Sequence, residues 1–194
     1  MKNLILFISL VILLPLASWS ITTNTLESDT MNYTDEDGKW QGEWERLHPD
    51  GSFKCSGTYV DHRKDGFWQR KFENGNFWYQ INYKNGKWHG KAILFHENGN
   101  LEQIGFHKEG KPHGSLKLYN EQGFIKSSEV YKDGKLNGLC KYYDDLGVLI
   151  REGYSEEGNR SGLWKFYDKG ILNITVIYKD GEAIETKMVE NPVF

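Results

Sequence analysis

The sequence predicts an all-β protein in which six tandem hairpins of about 24 residues form an extended, twisted, single-layer antiparallel sheet. Three observations support this prediction. Glycine recurs at a fixed spacing through most of the chain, glycine-containing polar turns separate short runs of residues, and apolar and polar residues alternate within those runs. No competing helical periodicity is present, so the prediction contains no helix.

The first 20 residues have the layout of a secretory signal peptide. Lys2 supplies the positive charge, an apolar core runs over residues 4–14, Pro15 interrupts it, and small residues follow at 17–20. The apolar core of about 11 residues is shorter than the ~20 that a membrane-spanning helix needs. We therefore predict a secreted, periplasmic or cell-envelope protein whose mature chain starts at Ile21, with an uncleaved membrane anchor as the alternative.

The remaining chain divides into three predicted parts. Residues 21–37 are polar and carry little that could form a core, so a flexible leader is expected there. Residues 38–181 hold the six repeats. Residues 182–194 form a C-terminal tail that, with the leader, could cap the exposed ends of the sheet.

Three glycine series define the repeat. The first, which we call the anchor glycines, recurs every 24 residues: Gly42, Gly66, Gly90, Gly114, Gly138 and Gly162. A second glycine follows nine residues later, except that Gly170 of the last copy comes one residue early. A third closes each unit, with His62 in its place once. Self-similarity at a fixed period indicates a repeat architecture in which neighbouring units share one core.

The turn and strand positions follow from the residues around these glycines. Pro-Asp-Gly at 49–51 and Glu-Asn-Gly at 73–75 lie between apolar runs and predict hairpin turns. Lys-Asn-Gly-Lys at 84–87 predicts a turn between units. In the runs, apolar residues alternate with polar ones, as in Trp44 and Trp68, and a tyrosine recurs late in the second strand. Twelve strands at ~4.8 Å spacing would extend about 55–60 Å.

Two segments resemble a known repeat family. They are FHKEGKPHGSLKLYNEQG (106–123) and YKDGKLNGLCKYYDDLGVLIREGYSEEG (131–158). Their Gly-Lys-x-x-Gly, the aromatic five residues after the anchor glycine and the turn glycine resemble MORN repeats, in particular the bacterial MORN-variant type. The resemblance covers residues 38 to 181 and implies a hairpin-array fold. The resemblance also implies a role as an antitoxin-like component, a scaffold or a protein-binding module. In other settings, MORN repeats are linked to membrane lipids.

The charge balance argues against two classes of partner. The formal net charge is −3, and it becomes −4 when Lys2 is removed with the signal peptide. A mildly acidic domain lacks the electrostatic footprint that binding to nucleic acid or to anionic lipid headgroups requires. We therefore predict no nucleic-acid partner and do not expect lipid binding.

Residues that could support catalysis or metal binding do not form a recognisable motif. His89 and His113 occupy equivalent places in adjacent units, about 10 Å apart, and no Cys/His spacing typical of a zinc site is present. Nucleophile and phosphate-loop motifs are also missing. We predict a protein that is not an enzyme and that has no catalytic residues, no metal and no cofactor.

The two cysteines are expected to remain apart. Cys55 and Cys140 lie seven strand steps from each other, roughly 33 Å, whereas a disulfide needs Cα atoms within about 7 Å. Strong curling of the array could close that gap. Cys140 also occupies the position of Trp44 and Trp68, which predicts a small core residue.

The aromatic residues give the only candidate binding positions. Most of the tryptophans occupy repeat-core positions, but Trp78 and Trp88 fall where other units carry polar or variable residues. An extended repeat surface without a catalytic motif predicts a non-catalytic protein–protein interaction module, either a scaffold or an antitoxin-like or immunity-like partner. The alternative is a glycan- or envelope-binding protein that uses exposed Trp78 and Trp88.

Overall fold

A computed structural model of the protein describes residues 31–189, and all the regular structure in that range is β-strand. The predicted signal peptide, most of the predicted leader and the last five residues lie outside the described residues. The strands are β1 (Tyr33–Thr34), β2 (Trp40–Leu47), β3 (Phe53–Val60), β4 (Arg63–Lys71), β5 (Phe77–Lys84), β6 (Lys87–Phe95), β7 (Leu101–Lys108), β8 (Lys111–Tyr119), β9 (Ile125–Lys132), β10 (Lys135–Leu136), β11 (Gly138–Tyr143), β12 (Leu149–Glu156), β13 (Asn159–Asp168), β14 (Ile171–Lys179) and β15 (Glu182–Met188).

The strands form one open antiparallel sheet in which each strand pairs with its neighbours in sequence. The short β10 pairs with β9 beside the start of β11. The predicted all-β hairpin array is confirmed. Beyond the twelve predicted strands, the sheet contains β1 at one end and β15 at the other, and one repeat strand is interrupted at Asn137 to give β10 and β11. Residues 33–34 of the predicted leader and 182–188 of the predicted tail are therefore edge strands.

Turn geometry explains the glycine spacing. Between units, two-residue turns have positive φ at both positions, as at Asn85 (50°) and Gly86 (79°), which matches the twist of the flanking strands. His62 occupies the glycine position of one such turn with φ of 66°. The missing residue of the last copy makes its internal turn short as well, because Lys169 (φ 48°) and Gly170 (φ 80°) connect β13 directly to β14.

One face of the sheet carries the core, and we call it the front face. Its central row of side chains contains Trp68, Ile81, Ala92, Leu116, Cys140, Trp164 and Val176, each 0–8 % exposed. Glycine takes a place in this row in every second unit, at Gly57, Gly105 and Gly153, which gives the core a period of two units. Trp68 and Trp164 pack on Gly57 and Gly153, where a Cβ atom would overlap the indole ring.

The two indoles are also fixed by hydrogen bonds. The Trp68 Nε1–H donates to the Thr58 carbonyl at 2.9 Å, and the Trp164 Nε1–H donates to the Tyr154 carbonyl at 2.8 Å. Leu116 occupies the equivalent place over Gly105, where a Cβ would lie 3.1 Å from it. Large rings lying on glycines allow a single sheet to bury a core without a second layer.

The opposite, back face is partly solvated.

No helix suited to crossing a membrane occurs between residues 31 and 189.

Candidate functional site

A cleft on the front face of the first two units brings three cations together, and we call it the cationic cleft. Arg46 of β2, Cys55 of β3 and Arg70 of β4 are directly opposite one another across three strands. Lys64 lies at the side of the cleft. The lining residues are Trp44, Arg46, Cys55, Tyr59, Lys64, Trp68, Arg70 and Tyr79.

Aromatic rings hold the three cations in place. The Lys64 Nζ lies 4.4 Å from the centre of the Trp68 ring and donates a hydrogen bond to the Tyr79 hydroxyl at 3.2 Å. The guanidinium carbons of Arg46 and Arg70 lie 5.2 Å and 4.5 Å from the rings of Trp40 and Trp78. Cation–π contacts orient these groups but leave their N–H donors available.

The cations of the cleft have no carboxylate partner within residues 31–189. Every ion pair in that range involves other cations. The Arg70 Nε is buried and has no hydrogen-bond partner among the described residues. Burial raises the pKa of the Tyr59 and Tyr79 hydroxyls, so both remain protonated donors at neutral pH. The cleft therefore presents donors and positive charge, and its lining contains no carboxylate.

Charge is unevenly distributed between the faces. Among residues 31–189, in the three front-face rows that flank and include the core, the Lys and Arg residues outnumber the carboxylates by five to one. The five cations are Arg46, Lys64, Arg70, Arg151 and Arg160, and the carboxylate is Glu129. The front face is thus cationic although the whole chain has a net charge of −3.

The one carboxylate that the described part of the chain places in these three rows is part of a closed polar cluster. Glu129 is 8 % exposed and accepts a 2.8 Å hydrogen bond from the Tyr131 hydroxyl. Burial, together with this carboxylate, raises the pKa of Tyr131. The neighbouring Cys140 thiol lies 3.6 Å from the Ser155 hydroxyl, and burial raises its pKa as well. A protonated, fully buried thiol is a poor nucleophile, so this cluster is suited to structure rather than to chemistry.

A separate apolar surface lies on the back face of the last two units, and we call it the back-face patch. It consists of Leu139, Tyr154 and Leu163, which are 46 %, 54 % and 50 % exposed. Leu139 and Tyr154 are direct cross-strand partners, and Leu163 pairs with Ile177. Exposed apolar side chains grouped in this way are typical of interaction sites.

Polar groups border the back-face patch. Glu152 accepts from Lys141 at 3.0 Å and lies 3.8 Å from Lys165, and it also accepts from the Tyr167 hydroxyl at 2.8 Å. The hydrogen bonds from Lys141 and Tyr167 lower the pKa of Glu152, while burial and the carboxylate raise the pKa of Tyr167 to about 12. An apolar centre with an ordered polar rim is the usual anatomy of a protein interface.

The structure does not bring Trp78 and Trp88 together. Trp78 is 38 % exposed and stacks on Phe72, with the Arg70 guanidinium on its ring. Trp88 is half-buried and meets the His107 ring edge-on at 4.8 Å. Trp88 pairs with Tyr83, five residues along β5 from Trp78, so about 17 Å separates the two sites along the strand.

The histidines and cysteines occupy separate environments. His89 faces Glu109 at 3.5 Å and His113 faces Asp133 at 3.3 Å, each beside a turn between units. Over the described range, no three His, Cys, Asp or Glu side chains converge in a way that could hold a metal ion. Both cysteines are free thiols, and Cys140 is fully buried in the core row, as its repeat position predicts.

Sequence reasoning missed the cationic cleft and the back-face patch, although the repeat contains a signal for both. Four residues after the anchor glycine, units 3–6 carry apolar residues, whereas units 1 and 2 carry Arg46 and Arg70. One residue after the anchor glycine, Leu139 and Leu163 replace residues such as Glu43. A column-by-column comparison of the units would have identified these departures.

Comparison with known families identifies the repeat type. Residues 88–109 match the family model of the MORN repeat variant, and this segment covers most of the β6–β7 hairpin. The other hairpins have the same glycine spacing and turn geometry as this matched segment, and they are consistent with the same repeat type. Such repeats generally act as modules for interaction with proteins or membranes. No curated protein matches the chain in sequence.

Proposed function

We propose that this chain of MORN-type repeats is an exported, non-catalytic protein–protein interaction module, which acts as a scaffold or as an immunity-like partner outside the cytoplasm. The observation that carries the proposal is the back-face patch of Leu139, Tyr154 and Leu163, each about half exposed and bordered by the ion pairs of Glu152. Burial of apolar side chains in an interface contributes favourable free energy of binding, and the surrounding ion pairs contribute specificity for the partner.

The absence of a catalytic role is part of the same proposal. The Cys140 thiol and the Glu129 carboxylate are each bonded to a neighbouring side chain, Ser155 and Tyr131 respectively. General acid–base or nucleophilic catalysis requires such groups to face a substrate. Turnover of any small substrate by the purified protein would contradict this part of the proposal.

A matched pair of variants tests the interaction. Leu163→Glu places a charge in the back-face patch, whereas Ser115→Glu places the same charge at the equivalent position of unit 4. Residues 21–194 of each form are used to capture proteins from an envelope extract of the host, and the captured proteins are identified by mass spectrometry. We expect the unmodified chain and Ser115→Glu to retain one stoichiometric protein that Leu163→Glu loses.

Two results of the capture experiment count against the proposal. If no protein is enriched on the unmodified chain, the interaction module is rejected for those conditions. If Leu163→Glu retains the same partner as Ser115→Glu, the back-face patch is not the interface. Circular dichroism of both variants checks that the sheet is intact.

Export is tested independently of binding. The charged start, short apolar core and small residues of 1–20 support a cleaved signal peptide. We expect the protein in the envelope or secreted fraction with a mature N-terminus near Ile21, determined by N-terminal sequencing. A protein that stays in the cytoplasm with Met1 intact contradicts export, and an envelope protein with Met1 intact indicates the uncleaved anchor.

The second candidate function is binding of a glycan in the cell envelope. Trp78 supports it, because this residue is 38 % exposed and aromatic rings provide apolar surfaces against which sugars pack. The double substitution Trp78→Ala and Trp88→Ala should then reduce retention of the protein on cell-wall material. Unchanged retention would reject this candidate.

A further inference from the structure

The geometry points to a second binding site at the cationic cleft: we propose that Arg46, Lys64 and Arg70 bind a carboxylate side chain of an acidic segment in a protein partner. This inference rests on the proposed function in one respect, namely that the occupant belongs to a protein. The cleft lies on the front face of units 1 and 2, whereas the back-face patch lies on the other face of units 5 and 6. The two surfaces are therefore tested separately.

The first argument is the missing counter-charge. Three cations converge on one small region, and none of them forms an ion pair within the described part of the chain. The Arg70 Nε is buried without a hydrogen-bond partner there. A buried polar group without a partner is unfavourable, and clustered like charges repel each other. An anionic ligand would relieve both conditions.

The second argument is the shape of the gap between the arginines. Arg46 and Arg70 lie on either side of Cys55, so their Cα atoms are about 10 Å apart. At the equivalent position the other units carry Tyr79, Gln103, Ser127, Arg151 and Ile174, and all of these except Ser127 are larger than Cys55. The small thiol therefore leaves space between two guanidinium groups.

The size and chemistry of this space favour a carboxylate. The cleft has a volume of about 110 Å³, below the roughly 300 Å³ at which pockets for drug-sized ligands begin. It is thus suited to one acidic side chain and is small for a sugar ring. Guanidinium groups bind carboxylates through two parallel N–H···O bonds, and Lys64 adds a third cationic donor at the side.

The third argument is the restriction of these charges to the first two units. The positions of Arg46 and Arg70 carry Leu94, Leu118, Tyr142 and Phe166 in units 3–6. Those positions pack on the front face, so the arginines replace apolar residues that the repeat would otherwise supply. Charged residues at core-facing positions lower stability unless they are paired, which is the pattern expected of a site maintained for binding.

A titration with a defined probe tests the site. Poly-L-glutamate is added to the natively processed protein, and binding is followed by tryptophan fluorescence, to which Trp44 and Trp68 in the cleft contribute, and by calorimetry. We expect binding that weakens as NaCl is added, because the contacts are ionic. The double variant Arg46→Gln and Arg70→Gln should bind at least about tenfold more weakly.

The control is Arg151→Gln. Arg151 is also a front-face arginine and lies 4.3 Å from the Tyr142 ring, but it belongs to unit 5, outside the cleft. It should bind poly-L-glutamate as the unmodified protein does. If the double variant fails to fold, Lys64→Gln removes one cation at the side of the cleft and should weaken binding in the same direction.

Each other outcome overturns the proposal. Equal loss of binding in Arg151→Gln means that the overall positive charge of the front face is responsible. No binding, or binding that the cleft variants leave unchanged, removes the site. If polygalacturonate binds in place of poly-L-glutamate, the occupant is an acidic glycan and not a protein segment. Capture of a partner that depends on Leu163 is independent of all these results, so the two proposals fail separately.

Discussion

The packing of Trp68 on Gly57 and of Trp164 on Gly153 determines how this sheet forms a core. Each indole covers a stretch of neighbouring backbone and donates its N–H to a carbonyl there. The apolar ring is therefore buried, and its one polar group has a hydrogen-bond partner. Trp68 and Trp164 are 3 % and 1 % exposed although residues 31–189 form one sheet with no second layer over it. Glycine is required at these positions because any side chain would occupy the space of the ring.

We expect Gly153→Ala to destabilise the protein by about 2–3 kcal/mol, because the added methyl group overlaps the Trp164 ring and forces it out of its position. Gly105→Ala is the matched comparison. There the nearest atoms, the Cα, Cβ and Cγ of Leu116, lie 3.1 Å from the added Cβ, so a shift of a few tenths of an ångström removes the overlap and a smaller loss is expected. Chemical denaturation of both variants measures the difference.

A double variant identifies the cause. Gly153→Ala combined with Trp164→Leu places a smaller side chain over the new methyl group, like the Leu116 side chain that lies over Gly105. If the clash is responsible, the two substitutions together cost less than the sum of their separate effects. Additive losses would show that Gly153 matters for another reason, such as backbone conformation.

His107 makes stability depend on pH. It is 7 % exposed, packs against Trp88 and takes the place of a tyrosine that recurs at Tyr59, Tyr83 and Tyr131. Burial lowers its pKa below the ordinary value of 6.5. The unfolded chain therefore binds a proton more readily than the folded chain, and the stability associated with neutral His107 is present above pH 6.5 and is lost as the pH falls below it.

We expect the free energy of unfolding to decline between pH 7 and pH 5, by at most about 1.4 kcal/mol per pH unit for this one group. His107→Tyr restores the repeat tyrosine and removes the titrating group, so its decline over the same range should be smaller. Urea denaturation at several pH values compares the two proteins. Identical pH profiles would assign the decline to other residues.

At the scale of the strands, β15 is an edge element with every residue exposed. It nevertheless pairs along β14, whose Val176 is 8 % exposed, and its Glu182, Glu185 and Lys187 place charges on the edge of the sheet. Charged residues on an edge strand discourage pairing with another chain. The strand therefore separates an apolar strand from solvent and from other copies.

We expect a chain terminated after Gly181 to self-associate more than the full chain, because β14, with Ile174, Val176 and Ile177, becomes the new edge. Light scattering during size-exclusion chromatography measures the mass of both proteins. Ile184→Lys in the full chain is the control, since it alters an exposed residue and keeps the strand paired. Equal masses for the truncated and full chains would mean that β14 is protected in another way.

The strands differ in how well the sequence predicts them. The twelve repeat strands and their turns follow from the glycine spacing, because the positive φ at residues such as Gly86 is a local property. β1, with only Tyr33 and Thr34, and β15, with all its side chains exposed, exist through pairing to an available edge. Pairing to an edge leaves no apolar alternation in the sequence, so neither strand was predicted.

The binding surfaces were harder to predict than the strands. Trp78 and Trp88 depart from the repeat, but they lie on neighbouring strands. The distance between them depends on how β5 and β6 are aligned. The cationic cleft is formed by Arg46 and Arg70 from different strands, with the small Cys55 between them. To find the cleft from the sequence, one must know which residues face each other across the strands. An alignment of the six units gives this information only when each repeat position is compared separately.

At the scale of the molecule, the strand order follows the sequence, so each repeat unit in residues 38–181 pairs with the units next to it in the chain. Stability then approximates a sum of unit and interface contributions, and the terminal strands have a neighbour on one side only. We expect backbone amides in β6–β9 to exchange with solvent more slowly than those in β1 and β15. Hydrogen exchange followed by mass spectrometry measures this gradient.

A central substitution tests the same property. Ala92→Asp places a charge at a fully buried position of unit 3, so exchange should accelerate most in units 2–4 and least in unit 6. A uniform increase along the sheet would mean that the array unfolds as one cooperative body.

The pairing of each strand with its neighbours in sequence also determines how the molecule responds to tension. A force that draws the two ends of the sheet apart acts across the strands, so it loads the hydrogen-bond ladder of one edge at a time, as in a zipper. Each released unit of about 24 residues would add roughly 80 Å of extended chain. The protein would lengthen in small, repeated, recoverable steps at low force, and so would act as a compliant tether between whatever its two ends hold.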